Sequence, residues 1–290
     1  MKNNATKLMA STAPSVSSGY NPEFLSFQLP LPTSKTPPDA LLDYRHFTVA
    51  MNVQRRMCAF TAVNIDAVKY NQLKSQIPTR SEIGADNWIP DPRLDTSAQL
   101  LKSFYVNNKF DIGHMVRRED PLWGDTLEEA LEANNDTFHV TNACPQHELF
   151  NRGNTMWKGL EDYALKNARK NDLRLSVFTG CVFDKNDRHF EDVQIPSKFW
   201  KVLVMVKENG EPSATGYIIS QFDLIKDVTE RELGFEYEQF QTYRVKINEI
   251  EKLTGLRFSL DAFEPKPKMS TRELSDDEPL PIDSADDLTF

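Results

Sequence analysis

Two runs rich in β-branched and aromatic residues, Phe199–Lys207 and Ala214–Ser220, are joined through Glu208-Asn209-Gly210. Asn-Gly tolerates the positive φ angles of a tight hairpin turn, so these runs are expected to pair antiparallel. Further strand signals are Tyr44–Met51 and Met57–Val63, joined by a turn at Asn52–Arg56, then Ser103–Val106, Phe138–Thr141, Leu173–Phe183 and Gln241–Ile247. Helical spacing appears at Asp125–Asn134, with Asp125 as N-cap and Glu128 three residues on. It recurs at Thr155–Lys170, where Trp157, Leu160, Ala164 and Ala168 share a face, and at Ile247–Thr254, closed by Gly255. Strands and helices mix without βαβ alternation. The expected class is α+β: a mixed or antiparallel central sheet with flanking helices.

The ends of the chain differ from its middle. Residues 1–18 are Ser-, Ala-, Thr- and Asn-rich without a hydrophobic pattern, and are expected to be disordered. The next segment, to Pro38, holds five prolines and should run extended. From Pro265 to Phe290 three basic residues face seven acidic ones, which reads as an acidic disordered tail. One ordered domain, 19–264, lies between. Its longest aliphatic run, Val202–Val206, is far too short to span a bilayer, so no membrane association is expected. Three cysteines (Cys58, Cys144, Cys181) make no disulfide scaffold and suit a reducing compartment. With no apolar leader at Met1, the expected location is cytoplasmic.

A net charge of −9 argues against a protein that coats nucleic acid through its whole field. Between Asn151 and Arg174 the balance reverses: Arg152, Lys158, Lys166, Arg169, Lys170 and Arg174 oppose only three acidic residues. That patch suits either a site for a polyanion or a solvated helix face. Signatures of zinc peptidases, zinc ribbons, P-loops and serine hydrolases are missing. Chemistry concentrates in Phe110–Glu161, which reads FDIGHMVRRED and then HVTNACPQHELFNRGNTMWKGLEDY. A His following a strand and Gly, beside Arg117 and Arg118, offers a base next to phosphate-binding guanidinium forks. Neutral oxygen donors with a carboxylate nearby suit Mg²⁺.

These residues resemble the DNA/RNA non-specific endonucleases, the ββα-metal group that includes endonuclease G. The family pattern is Asp-Arg-Gly-His, then Asn-x-x-Pro-Gln, then an Asn opening a helix with Trp and Leu-Glu. The matches are Asp111, Gly113 and His114; Asn142, Pro145 and Gln146; and Asn151, Trp157, Leu160 and Glu161. Flanking segments at 19–25, 178–183 and 248–260 follow in the order of a bacterial branch, so the resemblance spans about residues 19–262.

The resemblance implies a ββα-metal active site that hydrolyses phosphodiester bonds of DNA, RNA or both with little sequence preference. His114 would be the general base, Asn151 the Mg²⁺ ligand (Mn²⁺ able to substitute) and Glu161 the group orienting the ion's waters. Arg117 and Arg118 would grip phosphate, with Arg152 and Lys158 along the nucleic acid. Two positions depart from the pattern. Ile112 replaces the motif arginine, and Asn151 precedes Trp157 by six residues instead of four, which makes Asn154 a rival ligand. A catalytically weakened nucleic-acid-binding or scaffolding homologue is therefore the alternative. A regulated effector, with a homodimer or a regulatory protein as partner, is a further expectation. Each assignment has a plainer rival: His114 as a buried hydrogen-bonded imidazole, Asn151 as a helix N-cap, Glu161 as a solvated residue.

Overall fold

The structure is a computed structural model that describes residues 19–83, 85–152, 165–207, 209–226, 242–264 and 280–282. In chain order the first strands are β1 (Thr33–Ser34), β2 (Ala40–Tyr44), β3 (Phe47–Asn52), β4 (Met57–Asp66), β5 (Phe110–His114), β6 (Ala143–His147) and β7 (Arg174–Val182). Then come β8 (Arg188–Phe190), β9 (Val193–Ile195), β10 (Lys198–Val206), β11 (Pro212–Ser220), β12 (Thr242–Val245), β13 (Leu256–Arg257) and β14 (Leu280–Ile282). The helices are α1 (Ala67–Leu73), α2 (Arg80–Ile83), α3 (Leu127–Asp136), α4 (Glu148–Arg152), α5 (described over 165–170), α6 (Phe222–Lys226) and α7 (Ile247–Thr254).

Eight strands form one antiparallel sheet in the order β14-β12-β11-β10-β7-β4-β3-β2. The expected α+β architecture, a large antiparallel sheet with few helices, is what the chain adopts. Both faces of the sheet are covered, which explains why its central strands are buried at nearly every position. Along β10, Phe199, Leu203 and Met205 enter one core cluster while Trp200, Val202 and Val204 enter the other. The first cluster packs the β5–β6 ribbon through Phe110, Cys144 and neighbouring Met115, together with Phe150 of α4. The second packs Tyr20, Leu25 and Leu29 of the N-terminal segment with Ile247 and Ile250 of α7. No described helix is long and apolar enough to cross a membrane.

Several elements differ locally from their sequence signals. Tyr44 ends β2, and the chain reverses through Arg45 and His46, the latter at φ 68°, before β3 begins at Phe47. Ser103–Val106 falls in a 3₁₀ turn, Lys102–Tyr105 with Val106 as its cap; no described strand pairs with it and its amides bond locally, as Phe104 N–H does to Leu101 at 3.0 Å. Phe138–Thr141 is likewise no strand. Its pairing is one bridge, with Val140 N–H donating to Ile89 O at 2.9 Å, before a 3₁₀ turn at Val140–Asn142.

Helix α3 starts one residue later than expected, with Thr126 as cap. Thr126 Oγ1 accepts from Glu129 N–H at 3.1 Å, and Glu129 Oε2 accepts from Asp125 N–H at 2.7 Å. A hydroxyl and a carboxylate three residues apart satisfy two free amides together, which Asp125 with Glu128 does not. Gly255 closes α7 as expected, at φ 74°.

Residues 1–18, and most of the helix expected at Thr155–Lys170, lie outside the described residues. Within the expected acidic tail only Leu280–Ile282 is described. The expectation of disorder does not hold for these three residues, which pair with β12 as the outer strand of the sheet, Arg244 opposite Leu280. An exposed strand edge has unpaired amides and carbonyls to offer, and tail composition does not register that.

Candidate active site

The β5–β6 ribbon sets His114 opposite Ala143, Gly113 opposite Cys144 and Asp111 opposite Gln146. Asn142 fixes the open end of the ribbon. Its Oδ1 accepts from Val116 N–H and its Nδ2 donates to the carbonyls of Val116 and Thr137, each at 2.9 Å. Asn142 is fully buried, so its amide is a structural clamp.

Gly113 is required by close approach. A Cβ there would lie 2.2 Å from Gln146 Cδ, because the buried Gln146 side chain crosses the strand at that point. Gly113→Ala is therefore expected to lower stability by about 1–3 kcal/mol and to displace His114. Chemical denaturation would measure this. An unchanged midpoint would mean that Gln146 swings aside freely.

His114 packs between aromatic rings, 4.3 Å from Trp88 and 5.0 Å from Phe138 by ring centroids. Its Nε2 is shut from solvent and finds no hydrogen-bond partner among the described residues. Burial pushes the imidazole pKa down to about 3, and the positive charges of Arg118, Arg117 and Arg80 push in the same direction. The ring is thus neutral at neutral pH and able to accept a proton. A buried ring nitrogen without a partner implies one that arrives with a bound molecule.

Around His114 opens a cleft of about 570 Å³, lined by residues from three separate stretches. Arg80 comes from α2, with Asp86 and Trp88 just after it; Asp111, Ile112, Arg117 and Arg118 from β5 and beyond; Asn151 and Arg152 from α4. Arg118 donates to Asp86 at 3.1 Å, lies over the Phe138 ring and keeps only 12% of its side chain exposed. Arg80 reaches the same carboxylate at 3.3 Å. One aspartate thus gathers two guanidinium groups beside the imidazole.

Asp111 is engaged from α4. Arg152 grips it with two hydrogen bonds, 2.9 Å from Nε and 2.6 Å from a terminal nitrogen, and Asn151 Nδ2 donates to it at 2.9 Å. Since a carboxylate can only accept here, the Asn151 amide must turn its nitrogen to Asp111, which leaves Oδ1 as the oxygen available for a ligand. Among the described residues no three His, Cys, Asp or Glu side chains converge as a metal-binding group. The donor chemistry still fits Mg²⁺, a hard cation that keeps most of its waters and accepts a single neutral oxygen from a protein.

Of the residues singled out in the sequence, His114, Arg117, Arg118, Asn151 and Arg152 line the one cleft, and Ile112 lies with them. Asn154, Trp157, Lys158, Leu160 and Glu161 lie outside the described residues. The basic stretch is not all directed at the cleft. Arg174 bonds Asp66 at 3.0 Å, and Arg169 bonds Glu119 at 3.0 Å while covering the Tyr70 ring. His139 and His147 are held elsewhere, His139 by the Asp136 carbonyl at 2.9 Å and His147 by Leu149 N–H at 3.3 Å. Arg80, Asp86 and Trp88 escaped the sequence reading. They carry no motif spacing, and tertiary contacts such as the bridge from Ile89 to His139 and the Arg118–Asp86 bond bring their segment to the site.

Comparison with known proteins bears on the same segments. The profile of the DNA/RNA non-specific endonuclease family matches residues 26–263. "Uncharacterized protein y4fB" of Sinorhizobium fredii is 34% identical over 265 residues, covering 83% of this chain and 39% of that protein. A nuclease of Nostoc sp. is 24% identical, with 78% and 76% covered, and a nuclease of Serratia marcescens is 30% identical, with 59% and 60% covered. The chain therefore spans well under half of y4fB and three-fifths of the Serratia protein. A chain in the crystal structure of the EndoG/EndoGI complex superposes with a TM-score of 0.56 at 16% identity, covering 82% of this chain and 90% of that one. At that identity the likeness concerns the fold.

Proposed function

The chain belongs to the DNA/RNA non-specific endonuclease family, matched over residues 26–263, and from that premise we propose that it hydrolyses phosphodiester bonds of DNA, RNA or both. The observation that carries the reading is a neutral imidazole, His114, in a cleft rimmed by Arg80, Arg117, Arg118 and Arg152. A base that works at neutral pH must be unprotonated there, and a polyanionic substrate needs a positive rim on an otherwise acidic protein.

In this reading His114 takes the proton from a water that attacks phosphorus. Arg117 and Arg118 hold the phosphate, and the Asp86 carboxylate keeps Arg118 aimed rather than loose in solvent. Arg152 and Lys158 extend the contact along the backbone of the nucleic acid. Asn151 Oδ1, with water, would hold Mg²⁺ (or Mn²⁺), and Glu161 would orient those waters. When bound, such a cation stabilises negative charge developing on phosphate and leaving-group oxygens. Contacts of this kind address phosphate and sugar, hence little sequence preference. The catalytic unit is residues 19–264, working in the cytoplasm as a regulated effector, with a second copy or a regulatory protein as partner.

Ile112 favours one second reading. It lines the cleft where the family pattern has arginine, and a homologue that binds nucleic acid without cutting it would tolerate that change. Incubating the full chain with plasmid DNA and with RNA, in Mg²⁺ or in EDTA, separates the two. Degradation in Mg²⁺ that EDTA abolishes is expected. Retention of either polymer in a gel shift, with no cleavage in Mg²⁺ or Mn²⁺, would select the binding homologue.

A further inference from the structure

Three thiols meet beneath the ribbon that carries His114. Cys58 lies on β4, Cys144 on β6 opposite Gly113 and Cys181 on β7, and none exposes more than 3% of its surface. The Sγ of Cys144 is 2.9 Å from that of Cys181 and 3.9 Å from that of Cys58. Two sulfurs at the shorter distance are inside ordinary non-bonded contact and need approach by only about 0.9 Å to reach the ~2.05 Å of a disulfide. β6 belongs to the small ribbon and β7 to the centre of the large sheet, so no backbone ladder joins them. We propose that Cys144 and Cys181 form a disulfide that staples the active-site ribbon to the central sheet, closed during folding by exchange with a small disulfide such as oxidised glutathione.

The chemistry is two exchanges. The Cys144 thiolate attacks one sulfur of the small disulfide, breaking its S–S bond and expelling one thiolate. The Cys181 thiolate then attacks the Cys144 sulfur of the mixed disulfide and expels the second. The leaving thiolates take up the protons that the cysteines lost. The cysteines give up two electrons, and the small disulfide is reduced to two thiols.

Timing follows from burial. In the folded protein all three thiols are sealed, and burial helps to push the pKa of Cys144 and Cys181 up, so little thiolate is present. The first exchange must precede the docking of β6 against β7 and the second completes as the two strands come together, after which the same sealing shields the bond from reductants. Cys144 and Cys181 are 37 positions apart, and the loop they close contains Asn151, Arg152 and α5. Closing it removes freedom from the unfolded chain and fastens both ends of the segment that supplies one wall of the cleft. Cys58, at the longer distance, stays a free thiol. The inference does not depend on what the cleft cleaves, but it requires folding where oxidised glutathione is supplied, and so stands against the expected reducing compartment.

The test is refolding of the full chain from denaturant with a glutathione redox couple, or with reductant alone, followed by alkylation and digestion without reduction. Oxidative refolding is expected to lower the intact mass by about 2 Da before alkylation, for two hydrogens lost. The map should contain a Cys144–Cys181 peptide and an alkylated Cys58, and Cys58→Ser should leave the bond unchanged. The oxidised form should melt about 10 °C above the reduced one. Three alkylated cysteines after oxidative refolding, or a Cys58–Cys144 bond in place of the expected one, would overturn the proposal. So would an equal yield of the bond in chain held unfolded, where no tertiary contact selects it. The wild-type map decides even if variants fail to fold.

Discussion

His114→Ala should leave a folded protein that has lost about 10²–10⁴ of its cleavage rate. The imidazole is the group in the cleft that is held neutral by its surroundings, and alanine offers nothing to accept a proton in its place. Circular dichroism and the melting curve would establish folding, and plasmid and RNA cleavage the loss. A folded variant within threefold of the wild-type rate would remove His114 from the reaction.

The substitution has a second signature. A histidine whose pKa falls from 6.5 unfolded to about 3 folded contributes its full share of stability above pH 6.5. That share erodes as pH falls towards 3, because the unfolded chain takes up the proton first. The melting temperature of the wild type should therefore fall more steeply between pH 7 and pH 4 than that of His114→Ala. Parallel curves would show that the ring is not buried as described. His46, lowered by burial to about 4, supplies a similar slope that both proteins share.

Asn151→Ala should raise the Mg²⁺ concentration for half-maximal cleavage by about 10–100-fold, the scale on which altered metal-site partners act. Titration calorimetry with Mg²⁺ should show the same weakening with no substrate present. The amide has two ends: Nδ2 is tied to Asp111, and Oδ1 is left for the cation. A residue that merely anchors α4 would, when replaced, lower the melting temperature and leave the Mg²⁺ titration where it was. Asn154→Ala provides the comparison, since Asn154 is the rival ligand by spacing. If Asn154→Ala weakens Mg²⁺ binding more, the ligand is Asn154 and Asn151 serves Asp111 alone.

The Phe199–Ser220 hairpin, the strand over Met57–Val63 and the Gly255 helix stop were readable because each rests on interactions within a few residues. Turn chemistry and side-chain periodicity act locally and leave their mark in order along the chain. His114 with its glycine, and the Asn142, Pro145 and Gln146 block, were readable for a related reason. A ribbon fixes which side chains stand together, so the pattern repeats wherever the ribbon does. Ser103–Val106 and Phe138–Thr141 misled because strand-like composition makes a strand only if a partner edge lies beside it, and that edge is a tertiary fact.

From sequence alone came the α+β class, the antiparallel hairpin of Phe199–Ser220 and the cluster of His114, Arg117, Arg118, Asn151 and Arg152. Tertiary structure alone decided what surrounds that cluster. Arg80, Asp86 and Trp88 join the cleft from a segment about 30 positions upstream, and the guanidinium charges that help hold the imidazole neutral act through space. Cys58, Cys144 and Cys181, scattered over more than a hundred positions, meet only because the β6 ribbon packs onto the neighbouring strands β4 and β7 of the large sheet. Electrostatic shifts and sulfur contacts depend on distance and desolvation. Neither is encoded in spacing along the chain, and both exist only once the layers have packed.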